Sequence, residues 1–221
     1  MNEKTSRLFT SEDRTRILEA VRSAESRTSG EIVPYVVERS DHYEEAEWRG
    51  GFLCGIVAFA VAALEGGLAR AWDPVDLLEV CLLSVVSAVI GMLVVHWVPF
   101  VTRLLAGKHR MDFRVRQRAA EAFIAEEVFN TRNRTGILLF ISLMERRVLV
   151  VGDTGINAKV GKDDWHDVVQ LVVQGITSGS PAAGLITAIG KCGDLLAQHG
   201  VARREDDRDE LPDDLRIGKD E

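Results

Sequence analysis

The chemistry-bearing residues of this chain gather around one tetrapeptide, Gly152-Asp153-Thr154-Gly155, which follows the apolar run Val148–Val151. An aspartate at the end of a hydrophobic strand is a general acid, a metal ligand or a turn-former. Asp-Thr-Gly is also the aspartic-protease tripeptide, but that chemistry needs two carboxylates sharing a proton, and only one such loop is present. Asn157, Asp163 and Asp164 lie close by in sequence. If the loop folds back, Asp153, Asn157 and Asp163 give a set of oxygen ligands suited to a hard cation such as calcium. Arg134 and Thr135 precede the strand-like run Gly136–Ser142 and are candidates to hold an anion. Glu31 opens another strand-like run and is expected at the same end of the sheet. The plainer reading of Asp153 is an Asx-type turn in which the side chain holds its own backbone.

Other site chemistries find no support. Histidines 42, 96, 109, 166 and 199 are scattered without a zinc-binding spacing. Neither a phosphate-binding P-loop, a Rossmann glycine pattern nor a nucleophile elbow is present. The net charge of −7 argues against a nucleic-acid partner. Cysteines 54, 81 and 192 make no disulfide framework and fit a reducing compartment.

The elements that must position these residues are legible from periodicity. Thr10 caps a predicted helix from Ser11 to Arg27, with Ile17, Leu18, Val21 and Ala24 on one face. Glu31–Val37 reads as a strand, and Pro34, which cannot donate to a ladder, is expected to place it at an edge or in a bulge. Phe113–Phe129 is a second amphipathic helix. Gly136–Ser142 and Val148–Val151 are strands separated only by 143–147, so an antiparallel hairpin is expected. Helices over Asp163–Thr177 and from Pro181 to about His199 follow. The stretch from Arg203 has nine acids, five bases and few apolar residues, and reads as a disordered acidic tail.

Between the first strand and the second amphipathic helix lies a different kind of sequence. Val80–Thr102 contains 23 residues without an Asp, Glu, Lys or Arg, and Phe52–Leu64 is a second apolar run. About 20 helical residues cross the ~30 Å core of a bilayer. The chain is therefore expected to divide into 1–50, the first part of an α/β domain; 51–104, a transmembrane hairpin with spans of about 52–70 and 77–101; 105–200, the second part; and 201–221, the tail. Gly51, Gly55, Ala58 and Ala62 form a small-residue face for close helix packing. Glu65, near the outer end of the first span, is expected to snorkel to the interface, and the one candidate partner within the spans, His96, sits near the inner end of the second. The polar N-terminus predicts no cleavable signal. Basic residues after the second span (Arg103, Lys108, Arg110, Arg114, Arg116 and Arg118) predict that both flanks are cytoplasmic, in a multi-pass protein of the inner membrane. The fold class expected is α/β, a small mixed sheet of three to four strands sandwiched by helices and interrupted by the hairpin.

Three blocks, "FTSEDRTRILEAVRSAESRTSGEIVPYVV", "RTGILLFISLMERRVLVVGDTGINAKVG" and "WHDVVQLVVQGITSGSPAAGLITAIGKCGDLLAQHG", together resemble the TPM domain. That family is named for a thylakoid lumen protein, a photosystem II repair protein and a modulator of a nematode receptor. The closer resemblance is to a bacterial membrane-protein branch in which a hairpin interrupts the domain. The resemblance implies an α/β/α sandwich, and, from some plant members, an acid phosphatase activity with calcium binding. This chain departs from the pattern at two turns. Thr131-Arg132-Asn133-Arg134-Thr135 stands where typical members carry an acidic Lys-Asp-Asn-Gly-like turn, and Gly152-Asp153-Thr154-Gly155 stands where many carry Gly-Tyr-Gly. The functional expectation is a membrane-tethered interaction or assembly module, with a weak calcium-dependent phosphatase as the alternative and a channel or transporter subunit behind both. The partners expected are the lipid bilayer and either another protein or further copies of the chain.

Overall fold

A computed structural model describes residues 8–68, 77–161, 163–203 and 210–218. The chain divides into two compact units, one formed by residues 1–41 and 112–221, the other by residues 42–111.

The first unit is built on a mixed four-stranded sheet of order β3-β2-β1-β4. It comprises β1 (Glu31–Val37), β2 (Gly136–Ser142), β3 (Arg147–Gly152) and β4 (Arg216–Ile217). β1 and β2 run parallel over seven residues, from Glu31 opposite Gly136 to Val37 opposite Ser142, and β3 returns antiparallel to β2. A parallel pair needs a crossover of a dozen or more residues, so the β1–β2 connection is where a long insertion disturbs the sheet least.

Alternation along the strands sends side chains to two cores. Ile32, Val36, Ile137, Leu139, Ile141 and Val148 pack with α1 (Ser11–Glu25), α7 (His166–Thr177) and α8 (Pro181–Gln198). Val33, Tyr35, Val37, Leu138 and Phe140 pack with Val115, Ala119 and Ala122 of α5 (Lys108–Ala125). The result is an α/β/α sandwich, as the pattern of elements predicts. α1 begins on a full capping box, with the Thr10 hydroxyl accepting from the Asp13 amide and the Asp13 carboxylate accepting from the Thr10 amide.

Two expectations are corrected here. Pro34 does not put β1 at an edge, because β1 lies between β2 and β4. The Glu31 amide donates to Thr135 O, on the β2 side, whereas Val36 O accepts from Gly218 on the β4 side. Backbone groups alternate along a strand, so Pro34 and Ile32 also face away from β2. The Ile32 amide is met by Glu25 Oε1 at 2.8 Å, and β4 pairs only with Tyr35 and Val36. Pro34 thus occupies a site where a donor has no ladder to serve. The second correction concerns the tail, of which residues 204–209 and 219–221 lie outside the described residues. Residues 210–218 are held against the sheet: Leu215 is buried, Asp213 pairs with Arg22 and Arg216 pairs with Glu126, each at 2.8 Å. Two leucines and a two-residue strand suffice once they meet a preformed edge.

The second unit is a pair of long apolar helices, α2 (Glu44–Leu68) and α3 (Leu77–Trp97), followed by α4 (Pro99–Ala106). Both long helices are apolar enough to cross a membrane by length and composition, and only 11% and 17% of their most apolar windows is buried. A soluble core helix would be mostly covered. Gly50, Gly51 and Gly55 meet Gly91, Ala88 and Met92; a Cβ on Gly91 would stand 2.7 Å from Gly50 O and 2.8 Å from the Cys54 side chain. Ala58 and Ala62 continue the same less exposed stripe, in line with the small-residue face expected. The apolar run does not continue as one helix to 101. Val98 is extended at φ −109° and ψ 95°, as the residue before Pro99 tends to be, and a new helix starts at Pro99. His96 Nδ1 lies 2.8 Å from Glu47 Oε1, so its partner is at the other end of α2 from Glu65.

Candidate functional site

Asp153, the strongest acid by sequence, sits where β3 ends and α6 (Thr154–Asn157) begins, and it is 5% exposed. Its amide donates to Gly136 O at 2.9 Å, closing the β2–β3 ladder. Its carboxylate Oδ1 accepts from the Thr154 amide at 2.7 Å, and its carbonyl accepts from the Ile156 and Asn157 amides. The other carboxylate oxygen lies 2.8 Å from Arg134 Nε. Arg134 takes a left-handed φ of 57°, stacks its guanidinium 5.5 Å from the Phe129 ring centre, and accepts the Gly155 amide on its carbonyl. A Cβ on Gly155 would stand 2.7 Å from that carbonyl, so the close approach requires glycine.

The sequence candidates Asp153 and Arg134 are therefore brought together, as an ion pair that ties the turn before β2 to the end of β3. Thr135 and Glu31 are joined through Glu31 N–H to Thr135 O at 3.2 Å. The Thr135 hydroxyl donates to Ser29 O, and its amide donates to Thr131 Oγ1. The carboxylate of Glu31, also 5% exposed, accepts the Glu210 amide at 3.3 Å and the Leu211 amide at 3.4 Å. It clasps the returning tail.

The oxygen set Asp153, Asn157 and Asp163 does not close around one point in the same way. Asn157 Nδ2 donates to Gly152 O, and Asn157 and Asp163 line a groove that Asp153 does not reach. Asp164 accepts the Gly161 amide at 2.8 Å and lies 3.5 Å from His199 Nε2. Among the described residues, no group of three or more His, Cys, Asp or Glu side chains is placed to hold a metal ion.

Sequence reasoning missed a polar cluster at the opposite, carboxyl-terminal ends of β1 and β2, the end at which open α/β sheets place ligands. Glu145, 3% exposed, accepts the Ser142 hydroxyl on Oε2 and the Ser40 amide on Oε1 at 2.8 Å. Ser40 Oγ lies 2.8 Å from Ser142 Oγ. Beside them Leu143 N–H donates to Val37 O, and Met144 N–H donates to Glu38 O. The only signal for this cluster in the sequence is a Ser-x-x-Glu spacing across the β2–β3 turn. What the cluster does is staple that turn to the segment leaving β1.

A groove of about 610 Å³ runs along the outer edge of β3. Arg116, Ala119 and Ala120 of α5 form one wall, and Trp165, His166 and Val169 the other. Because Asp153 and Gly136 exchange a bond, Val151 and Leu149 also face β2, and Val148, Val150 and Gly152 turn their backbone groups outward. Among the described residues, the Gly152 carbonyl meets Asn157 Nδ2, and nothing bonds the amides or carbonyls of Val148 and Val150.

On the α8 side of the sheet, burial, with Glu25 as a smaller contributor, pushes the Cys192 thiol up to about 12.

No family model matches the chain, and comparison with curated proteins finds no relative. Among solved structures it is similar to the NMR structure of BA42 protein from the psychrophilic bacterium Bizionia argentinensis. That similarity has 21% identity and a TM-score of 0.57, over 95% of each chain. It is a likeness of fold.

Proposed function

We propose that this protein is a membrane-tethered, TPM-like α/β domain that acts as an interaction or assembly module at the inner membrane, with the sheet-bearing flanks in the cytoplasm. One observation carries the reading: the candidate acids of the sequence are occupied in holding the fold. Asp153 caps a helix and pairs with Arg134, and Glu31 holds two tail amides. A phosphatase of the hard-cation type needs carboxylates that converge on open space instead. The two apolar helices support the tether, and the basic run after them supports the orientation.

The decisive measurement is phosphate release by the full chain in detergent, with and without calcium, beside the Asp153→Ala variant. Background release by both is expected. Calcium-dependent turnover that disappears in a folded Asp153→Ala protein would establish the phosphatase instead. Reporter fusions at residues 20 and 150 are expected to report the same compartment.

A further inference from the structure

We propose that α4 is a third membrane element, an in-plane helix whose Phe100–Leu104 face is buried among phospholipid chains at the boundary of the leaflet next to the flanks. This deepens the tether reading and rests on it.

As one straight helix, the uncharged stretch from Val80 would carry α3 onward to Thr102. Pro99 prevents this. It has no amide to give the Val95 carbonyl, the acceptor due to it in a continuing helix, and its ring disfavours helical geometry at Val98. The Thr102 hydroxyl takes over that carbonyl at 2.6 Å, which folds α4 back onto the last turn of α3. Gly50 of α2 marks where α4 then runs, because a Cβ there would meet both Val95 and Leu105. In a continuous helix those two residues stand about 15 Å apart along the axis. The Leu105 carbonyl also accepts from Arg49 Nη1 at 2.8 Å. α4 therefore lies across the end of the helical pair, at about the level of Gly50 and Val95, both within the apolar helices.

The two faces of α4 differ. Thr102 and Ala106, one turn apart, are buried, whereas Phe100 and Leu104 on the opposite face are 66% and 70% exposed. Trp48, Phe52 and Trp97 are exposed at the same end of the pair, and such aromatic side chains favour a membrane boundary. Depth names the occupant. With α2 and α3 across a bilayer, a face at the level of Val95 is surrounded by lipid, and water or a passing soluble protein does not reach it. Charge agrees. No Asp or Glu occurs from Val80 to Gly107, Arg103 flanks the exposed face, and the exposed Lys108 follows it. Both bases extend toward headgroup phosphates while the apolar side chains sink. Glu45 and Glu47 of α2 are paired with Arg110 and His96.

The test uses the full chain in nanodiscs of phosphatidylcholine and phosphatidylglycerol. Nitroxide labels are placed singly by Phe100→Cys, Leu104→Cys, Lys108→Cys and, within the second span, Val86→Cys. The background is Cys54→Ala, Cys81→Ala, with the buried Cys192 left in place. Labels at 86, 100 and 104 are expected to meet dissolved oxygen and to exclude a nickel chelate, which reaches the label at 108. Those at 100 and 104 are expected at equal depth, about 5–10 Å below the boundary, where a helix continuing the span would separate them by about 6 Å. On the unaltered chain, phosphatidylcholine with a diazirine on its acyl chain is expected to leave adducts within 99–106; should the labelled variants misfold, this measurement decides alone. The proposal is overturned by labels at 100 and 104 as open to the chelate as that at 108, by unequal depths, by labels closed to oxygen and chelate alike (a face covered by protein), or by adducts absent from 99–106. If the label at 86 also meets the chelate, the tether reading falls too; if it alone stays in lipid, the tether stands and α4 is a surface helix.

Discussion

Asp153 is the residue at which the sequence was most suggestive, and its surroundings explain both the signal and its limit. An aspartate after a strand and before a glycine serves equally well as ligand, acid or cap, and only the backbone path decides among them. Here four backbone groups hold the residue, and Arg134 faces its second carboxylate oxygen as an ion pair that makes no hydrogen bond among the described residues. Asp153→Ala should cost about 1–2 kcal/mol in urea unfolding, the range for a lost helix cap, and Asp153→Asn should cost less because its carbonyl still caps. Gly136 is a stricter case, since a Cβ there would overlap the Val128 carbonyl; Gly136→Ala should lose about 3 kcal/mol or more, read as a collapse of the unfolding midpoint. Cys192 gives a pH signature. Its folded value of about 12 lies above the ordinary 9.0, so the native state keeps a proton that the unfolded chain releases as pH rises past 9. Its contribution is therefore complete below pH 9 and falls by up to about 1.4 kcal/mol per pH unit between 9 and 12. The stability gap between the unaltered chain and Cys192→Ala should narrow accordingly from pH 8 to pH 10.5.

At the scale of elements, periodicity carried the helices and strands well, because apolar spacing is a local property. The antiparallel β2–β3 pair follows from a connection too short for anything else. Neighbour relations between distant segments were less legible. Pro34 argues for an edge only if every outward donor position in a central strand is used, and here one is not. The tail reads as disordered because composition averages over its length, and the ordering of residues 210–218 depends on a carboxylate, Glu31, some 180 residues away. Glu31→Ala should therefore act at the tail: trypsin cleavage at Arg216 should quicken about tenfold, the equivalent of roughly 1.4 kcal/mol for a lost charged acceptor. The Ser40–Ser142–Glu145 staple left almost no trace in the sequence, since its three members come from two segments joined only by the parallel pairing of β1 and β2.

For the whole molecule, the sheet-bearing unit is assembled from two stretches of chain that leave it close together. Asp41 and Arg114, on either side of the insertion, are 2.8 Å apart. Replacing residues 42–111 by a short flexible linker should thus give a soluble protein with the same sheet, melting within about 2–4 °C of the parent domain, the shift that 1 kcal/mol produces in a domain of about 150 to 250 residues. Circular dichroism and a thermal scan would read this directly. A large loss of cooperativity would mean that the helical pair is needed for the sandwich as well as for the tether. The clasp of Glu31 on residues 210 and 211 also imposes an order on biosynthesis. A ribosome delivers β1 long before the segment that completes its free side, and the apolar helices emerge in between. Until residues 210–218 emerge, one side of β1 stays open, so the nascent protein carries a half-built sheet past the synthesis of both apolar helices.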